Sequence, residues 1–306
     1  MLIDKEFDLI KNKFQKNIYI NYDLSKSSWF NTGGPAKIFF KPKNISQLSS
    51  FLKYLKRNLE VQVIGAGSNT LFRDGGFNGV VIKLGKNFSH LSLLDECTIV
   101  AGAAALDKNV SNFALENSIR NFEFLSCIPG SIGGAIRMNS GCYGEEFSNL
   151  VISIQAMDLD GNLKVIPIPQ IKYFYRGSDL SNELIFLSAT LRGLKADEEN
   201  IFKKMNNLLE KKELSQPFKI KTCGSTFKNP KNVTTERAWK LIKKSACENL
   251  KFGDAEISKK HCNFLINRKS ATSSELEKLI NAIKKKVFDN TGIDLELELK
   301  IVGEKK

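Results

Sequence analysis

The sequence predicts a mixed α/β protein of the α+β type in two parts, an N-terminal region over residues 1–216 and a C-terminal α+β domain over 217–306. Three observations carry this. Strand-like and helix-like runs alternate from residue 37 to 66. A glycine-rich stretch, 127–144, precedes two apolar runs joined by an Asp-Gly turn signal. A charged helical stretch, 196–215, stops at Gln216-Pro217, where the proline disfavours helix at the residue before it.

The elements follow in order. "KIFFKP" reads as a strand, "ISQLSSFLKYLKRN" as an amphipathic helix and "VQVIGA" as a second strand, with "GVVIKL" and "CTIVAGA" as further short β runs. Residues 109–120 place apolar side chains at helical spacing, and "LVISIQAMDLDGNLKVIPI" reads as a hairpin. Beyond Pro217, residues 235–246 have a helical pattern and "CNFLIN" is strand-like. Leu276, Leu279, Ile280, Ile283 and Val287 form one helical stripe. That helix opens with the capping-box spelling Thr272-Ser-Ser-Glu275 and stops at Asn290 and Gly292. In the final run, "IDLELELKIVG", alternation puts Glu296, Glu298 and Lys300 on one strand face.

With 306 residues, 42% hydrophobic and 26% charged, the chain has room for two or three compact units and the composition of an ordinary globular protein. The start, "MLIDKEFDLIKNKFQK", lacks a continuous apolar core, so a cytoplasmic protein without membrane attachment is expected. The six cysteines are at least fifteen residues apart, which excludes Cys-x-x-Cys pairs. The two histidines have no metal-ligand spacing, and no metal site is expected. A net charge of +13 suits nucleic acid, a membrane surface or a small anion equally. The basic residues are scattered and no nucleic-acid module is visible, so a basic nucleic-acid-binding protein is the rival reading from a different class.

Four segments could carry chemistry. "VIGAGSNTLF", 63–72, is a small-residue turn after a strand, where consecutive N–H groups converge on a phosphate, or else a plain tight turn. It is not a dinucleotide fingerprint, because Thr70 stands where a third glycine would be. "CIPGSIGGAIRMNSGCYG" sets Pro129, Gly130, Gly133, Gly134 and Gly141 close together, with Ser131, Asn139 and Ser140 as uncharged partners for a large polar cofactor. "YRGS", 175–178, and "CGSTFKNP", 223–230, are unspecific alone, although the second packs a thiol, a hydroxyl, a cation and an amide into eight residues.

In order and at these separations, "NTGGPA", "VIGAGSN", "IPGSIGGA", "MNSGCYG", "YRGS", "GSTFKNP", "KHCNFLIN" and "LELEL" resemble the UDP-N-acetylenolpyruvoylglucosamine reductase (MurB) family over nearly the whole chain. The resemblance implies an FAD-binding region of the vanillyl-alcohol-oxidase type, with subdomains of about 1–85 and 86–216, and a C-terminal substrate domain. It implies FAD as cofactor and NADPH as reductant. The reaction is then reduction of UDP-N-acetylglucosamine enolpyruvate to UDP-N-acetylmuramate in peptidoglycan synthesis, by a monomer with no nucleic-acid partner. Another flavin oxidoreductase of the same domain type is the nearest rival.

Carried over by motif, the cofactor-binding residues are Ile64, Gly65, Ala66, Gly67, Ser68, Asn69, Pro129, Gly130, Ser131, Gly133 and Gly134. Ser225 matches the family's proton donor, to the carbanion that forms beside the carbon receiving hydride. Arg176 would hold the substrate carboxylate through its guanidinium fork. Glu298 would orient Arg176 or share a proton with the acid enolate, with Glu296 as the fallback. Tyr175, Ser178, Lys228 and Asn229 are expected against substrate, and Cys223 is expected to pack rather than to donate a proton. Cys127, Arg137 and Cys142 depart from the flavin-loop pattern, and the short interval between "YRGS" and "CGSTF" resembles the family's compact type.

Overall fold

The computed structural model describes Ile10, residues 12–55 and residues 57–306. Most of the N-terminal segment read for a leader lies outside the described residues. The chain forms two compact units, one of residues 1–21, 38–66 and 79–210, the other of 22–37, 67–78 and 211–306. The second unit therefore draws two short segments from the region expected to be N-terminal, and the division expected at 216 falls at 210/211.

The first unit holds two sheets. In one, strands Ile18–Asp23, Pro35–Phe40, Phe77–Lys83 and Val61–Ile64 lie side by side in that order. Phe77–Lys83 and Val61–Ile64 run parallel, and Ile64 stands opposite Lys83. Helix Ile45–Leu55 buries Leu48, Phe51, Leu52 and Leu55 in a core with Ile38, Phe40, Val80 and Ile82. Each fully buried side chain of that size is worth about 1.5–3 kcal/mol over exposure.

The other sheet is antiparallel, in the order Leu163–Pro167, Val151–Met157, Ile185–Arg192, Thr98–Gly102 and Leu91–Asp95. Its first pair is the hairpin that the Asp-Gly signal predicted. One face packs Ile99, Ala101, Ile154 and Ala189 against helices Asp107–Glu116 and Ile132–Met138. The helix expected over 109–120 starts two residues earlier and ends at Glu116. The glycine-rich stretch, read as close-approach backbone, contains Ile132–Met138, so Gly133 and Gly134 lie in a helix.

The second unit packs helices Ala238–Lys244 and Ser273–Thr291 with a three-stranded antiparallel sheet, Lys251–Phe252, Ala255–Ile257 and Leu265–Asn267. The stripe Leu276, Leu279, Ile280, Ile283 and Val287 is buried as its spacing required. Both bonds of the Thr272/Glu275 capping box form, and Gly292 ends the helix in the left-handed conformation. The expected final strand is shorter, Lys300–Val302, and pairs parallel with Thr70–Phe72. That pairing ties residues 67–78 to the C-terminal unit. Leu297 meets Phe227 only through an isolated bridge.

Candidate functional site

In the first unit the turn after Val61–Ile64 meets the glycine-rich segment. A Cβ at Gly65 would lie 2.5 Å from Ser131 Oγ, so the missing side chain leaves room for that hydroxyl beside the turn. Ser131 is 3% exposed and its hydroxyl has no partner among the described residues. The segment is fastened by hydrogen bonds from Ile132 N to Ala105 O (3.0 Å) and from Gly133 N to Ala103 O (2.8 Å). Beneath Gly130 lies Asp107, which is fully buried, with neither carboxylate oxygen partnered by a described residue. Burial pushes its pKa well above the ordinary value, because an unpaired buried carboxylate is strongly disfavoured. Nothing in the sequence marked Asp107 beyond an acidic residue at a helix start.

The departures from the flavin-loop pattern have structural partners. Arg137 donates to the carbonyls of Leu180, Ser181 and Leu184 at 2.7, 3.0 and 3.2 Å and covers the Phe186 ring. Cys142 Sγ donates to Phe124 O (3.4 Å), and Cys127 is buried.

"YRGS" is the tip of a tight hairpin in which Tyr173 pairs with Ser178 and Phe174 with Gly177. Arg176 takes a left-handed backbone (φ 60°) at the turn and donates from Nη2 to Gly141 O at 2.7 Å. Asn139 Nδ2 donates to Phe174 O (3.3 Å), so the hairpin is docked on the "MNSGCYG" segment. Tyr175 lies under the Arg176 guanidinium. The hydroxyls of Ser178 and Tyr173 are buried without a described partner, and burial pushes the Tyr173 phenol up.

In the second unit Gly67 (φ 75°) sits where a Cβ would fall 2.0 Å from Ser27 O, and Ser68 follows it in the same turn. Asn69 donates its amide to Glu298 O at 3.0 Å, fastening the strand end that carries Glu298. The stretch Ser225–Lys228 is held by backbone bonds on both sides. Ser225 bridges to Phe264, and Thr226 N donates to Asn263 O (2.8 Å). Asn263 also exchanges side-chain bonds with the Phe227 backbone, at 3.0 and 2.8 Å. On the other side Glu298 N donates to Thr226 O (2.9 Å) and Lys228 N to Glu296 O (2.8 Å). Asn263, within the quoted "KHCNFLIN", had no role in the sequence reading and proves to be the clamp on the serine segment.

Gly224 is left-handed (φ 76°), and the space where its Cβ would stand is open beside Ser225. Cys223 is buried, with Sγ 3.5 Å from Thr70 O, and burial pushes its thiol up to about 12, so the thiolate is inaccessible at neutral pH. Lys228 pairs with Glu296 at 3.3 Å, but that carboxylate is 75% exposed and the pair contributes little. Asn229 Oδ1 accepts from Ala238 N (3.0 Å) at the start of helix Ala238–Lys244. His261 packs edge-on to Phe264, and burial lowers its pKa.

Residues 36–166 match the FAD binding domain family. The glycine contact at Gly65 and the unpartnered buried hydroxyl of Ser131 fit such a dinucleotide. The chain is thus an FAD-dependent oxidoreductase. Residues 216–302 match the UDP-N-acetylenolpyruvoylglucosamine reductase C-terminal domain. The reductase of that name from Pelagibacter ubique is 48% identical, covering 97% of this chain and 99% of its own. The one from a Wolbachia of Drosophila simulans is 44% identical over 94% and 97%. The crystal structure of the Thermus caldophilus enzyme superposes with a TM-score of 0.80 at 25% identity, covering 94% of this chain and 98% of that one. The chain belongs to the UDP-N-acetylenolpyruvoylglucosamine reductase family.

Proposed function

We propose that the chain reduces UDP-N-acetylglucosamine enolpyruvate to UDP-N-acetylmuramate in peptidoglycan synthesis, with FAD bound and NADPH as reductant. FAD, when bound, supplies the hydride chemistry, accepting hydride from the nicotinamide and returning it to the enolpyruvyl double bond. Its holders in this reading are Ile64, Gly65, Ala66, Gly67, Ser68 and Asn69, with Pro129, Gly130, Ser131, Gly133 and Gly134. The observation that carries the reading is the approach of Gly65 to Ser131, which brings both glycine-rich segments to one place and leaves a buried hydroxyl for a polar ligand.

Hydride addition at one alkene carbon leaves carbanion character at its neighbour, and Ser225 Oγ donates the proton that quenches it. A hydroxyl is a weak acid, so it works only when held against the nascent charge with nearby donors to steady the alkoxide. Support for Ser225 comes from its clamped backbone and the open space at Gly224. Cys223 is buried with its thiol turned to Thr70 O, which favours packing over proton donation to substrate. Arg176 binds the substrate carboxylate, and Glu298, held by Thr226 and Asn69, shares the proton of the acid enolate. Tyr175, Ser178, Lys228 and Asn229 contact substrate.

The protein acts as a cytoplasmic monomer on a small molecule, without nucleic-acid or membrane partners; among the described residues no helix is long and apolar enough to cross a membrane. Anaerobic stopped flow tests the reading. NADPH should bleach the flavin, and UDP-N-acetylglucosamine enolpyruvate should restore the oxidised spectrum at once. A flavin that bleaches and stays reduced overturns the substrate assignment and favours another flavin oxidoreductase.

A further inference from the structure

Lys83 ends the strand Phe77–Lys83, directly beside Ile64, the residue that leads into the Gly65 turn. Val80 and Ile82 point into the core under helix Ile45–Leu55. Because side chains alternate along a strand, Lys83 stands on the opposite face, the face of Val81 and Ile64. It is half-buried, and its ammonium has no hydrogen bond or ion pair among the described residues. Burial lowers its pKa, and the positive charge of Lys41 lowers it further.

Two neighbouring cations, one partly desolvated and without a carboxylate, disfavour each other until an anion arrives. Lys83 stands at the C-terminal end of a parallel strand pair, the end at which open α/β sheets receive their ligands. We propose that the Lys83 ammonium, with Lys41 beside it, contacts the diphosphate of the bound dinucleotide, adding a charge contact to the backbone donors of the Gly65 turn. The inference rests on the FAD reading above.

The test is FAD binding by apoprotein, followed by quenching of flavin fluorescence at several KCl concentrations. Lys83→Gln should weaken FAD binding about tenfold or more at low salt, and its affinity should fall less with added salt than that of wild type, because a screened charge pair has been removed. Lys83→Arg should keep most of both properties. UDP-N-acetylglucosamine binding to the FAD-loaded variants separates the dinucleotide from the substrate's own diphosphate. An unchanged FAD affinity in Lys83→Gln, a loss with the wild-type salt dependence, or weakened UDP-sugar binding alone overturns the proposal. A wild-type apoprotein that fails to take up FAD sinks the cofactor reading itself, before any variant is compared.

Discussion

Asp107 and Ser225 illustrate opposite uses of a single polar side chain. Asp107 is buried without a described partner, so its folded pKa lies above its unfolded one. Its contribution to stability is fully present below the unfolded carboxylate value and is lost as pH rises towards the folded one. Over the interval in which the folded acid keeps its proton, that loss is about 1.4 kcal/mol per pH unit. Asp107→Asn removes the titration, so the urea midpoint of the variant should gain on wild type between pH 5 and pH 8; parallel pH profiles would refute the assignment. Ser225 is half-exposed and clamped through backbone bonds, and its test is kinetic. Ser225→Ala should leave flavin reduction by NADPH intact and slow reoxidation by substrate about 100-fold or more. An equal loss in both half-reactions would remove it from the proton step. Cys223→Ala should keep turnover near wild type, since that thiol is buried and turned towards Thr70 O.

The helix Ser273–Thr291 was legible in the sequence from its apolar stripe, capping box and terminal glycine, because each of those signals is local. One of its supports was not legible. Asp74, about 200 residues earlier, accepts from Ser273 N (2.9 Å), Ser274 N (3.0 Å) and Ser274 Oγ (2.9 Å) at the helix start. Burial raises the Asp74 pKa, but these bonds outweigh it and the net shift is downward. Its contribution is therefore present above the unfolded carboxylate value and lost as pH falls through the lower folded one. Asp74→Ala should cost about 1–2 kcal/mol at pH 7, near the upper end for a helix cap and tempered by partial exposure. In chemical denaturation the gap to wild type should close as pH falls towards 3; a constant gap would mean that the carboxylate charge is irrelevant. The last strand shows the reverse error: alternation over "LELEL" predicted continuous pairing, whereas only Lys300–Val302 joins a strand.

At the scale of the molecule, the unit that carries Ser225 and Glu298 is discontinuous. Strand Lys300–Val302 pairs with Thr70–Phe72, and Asn267 donates to Phe30 O at 2.7 Å, so residues 22–37 and 67–78 complete its core. A fragment of residues 211–306 lacks these partners, and its far-UV circular dichroism and amide spectrum should be those of a largely unfolded chain. A cooperatively folding fragment would show that the borrowed segments are dispensable. The charge of +13 is likewise a property of the whole chain, carried by 46 basic and 33 acidic residues spread along it. By itself the sequence determined the helices, the hairpin, the glycine turns and, through eight ordered motifs, the family with its flavin and substrate chemistry, because these depend on short-range periodicity and on residue types at fixed spacing. Only the tertiary structure decided that Gly65 faces Ser131, that Asn263 clamps the serine segment, that Asp107 is buried beneath Gly130 and that residues 22–37 and 67–78 join the C-terminal unit. Those are contacts between segments far apart in the chain, set by packing and hydrogen-bond satisfaction that no local pattern encodes.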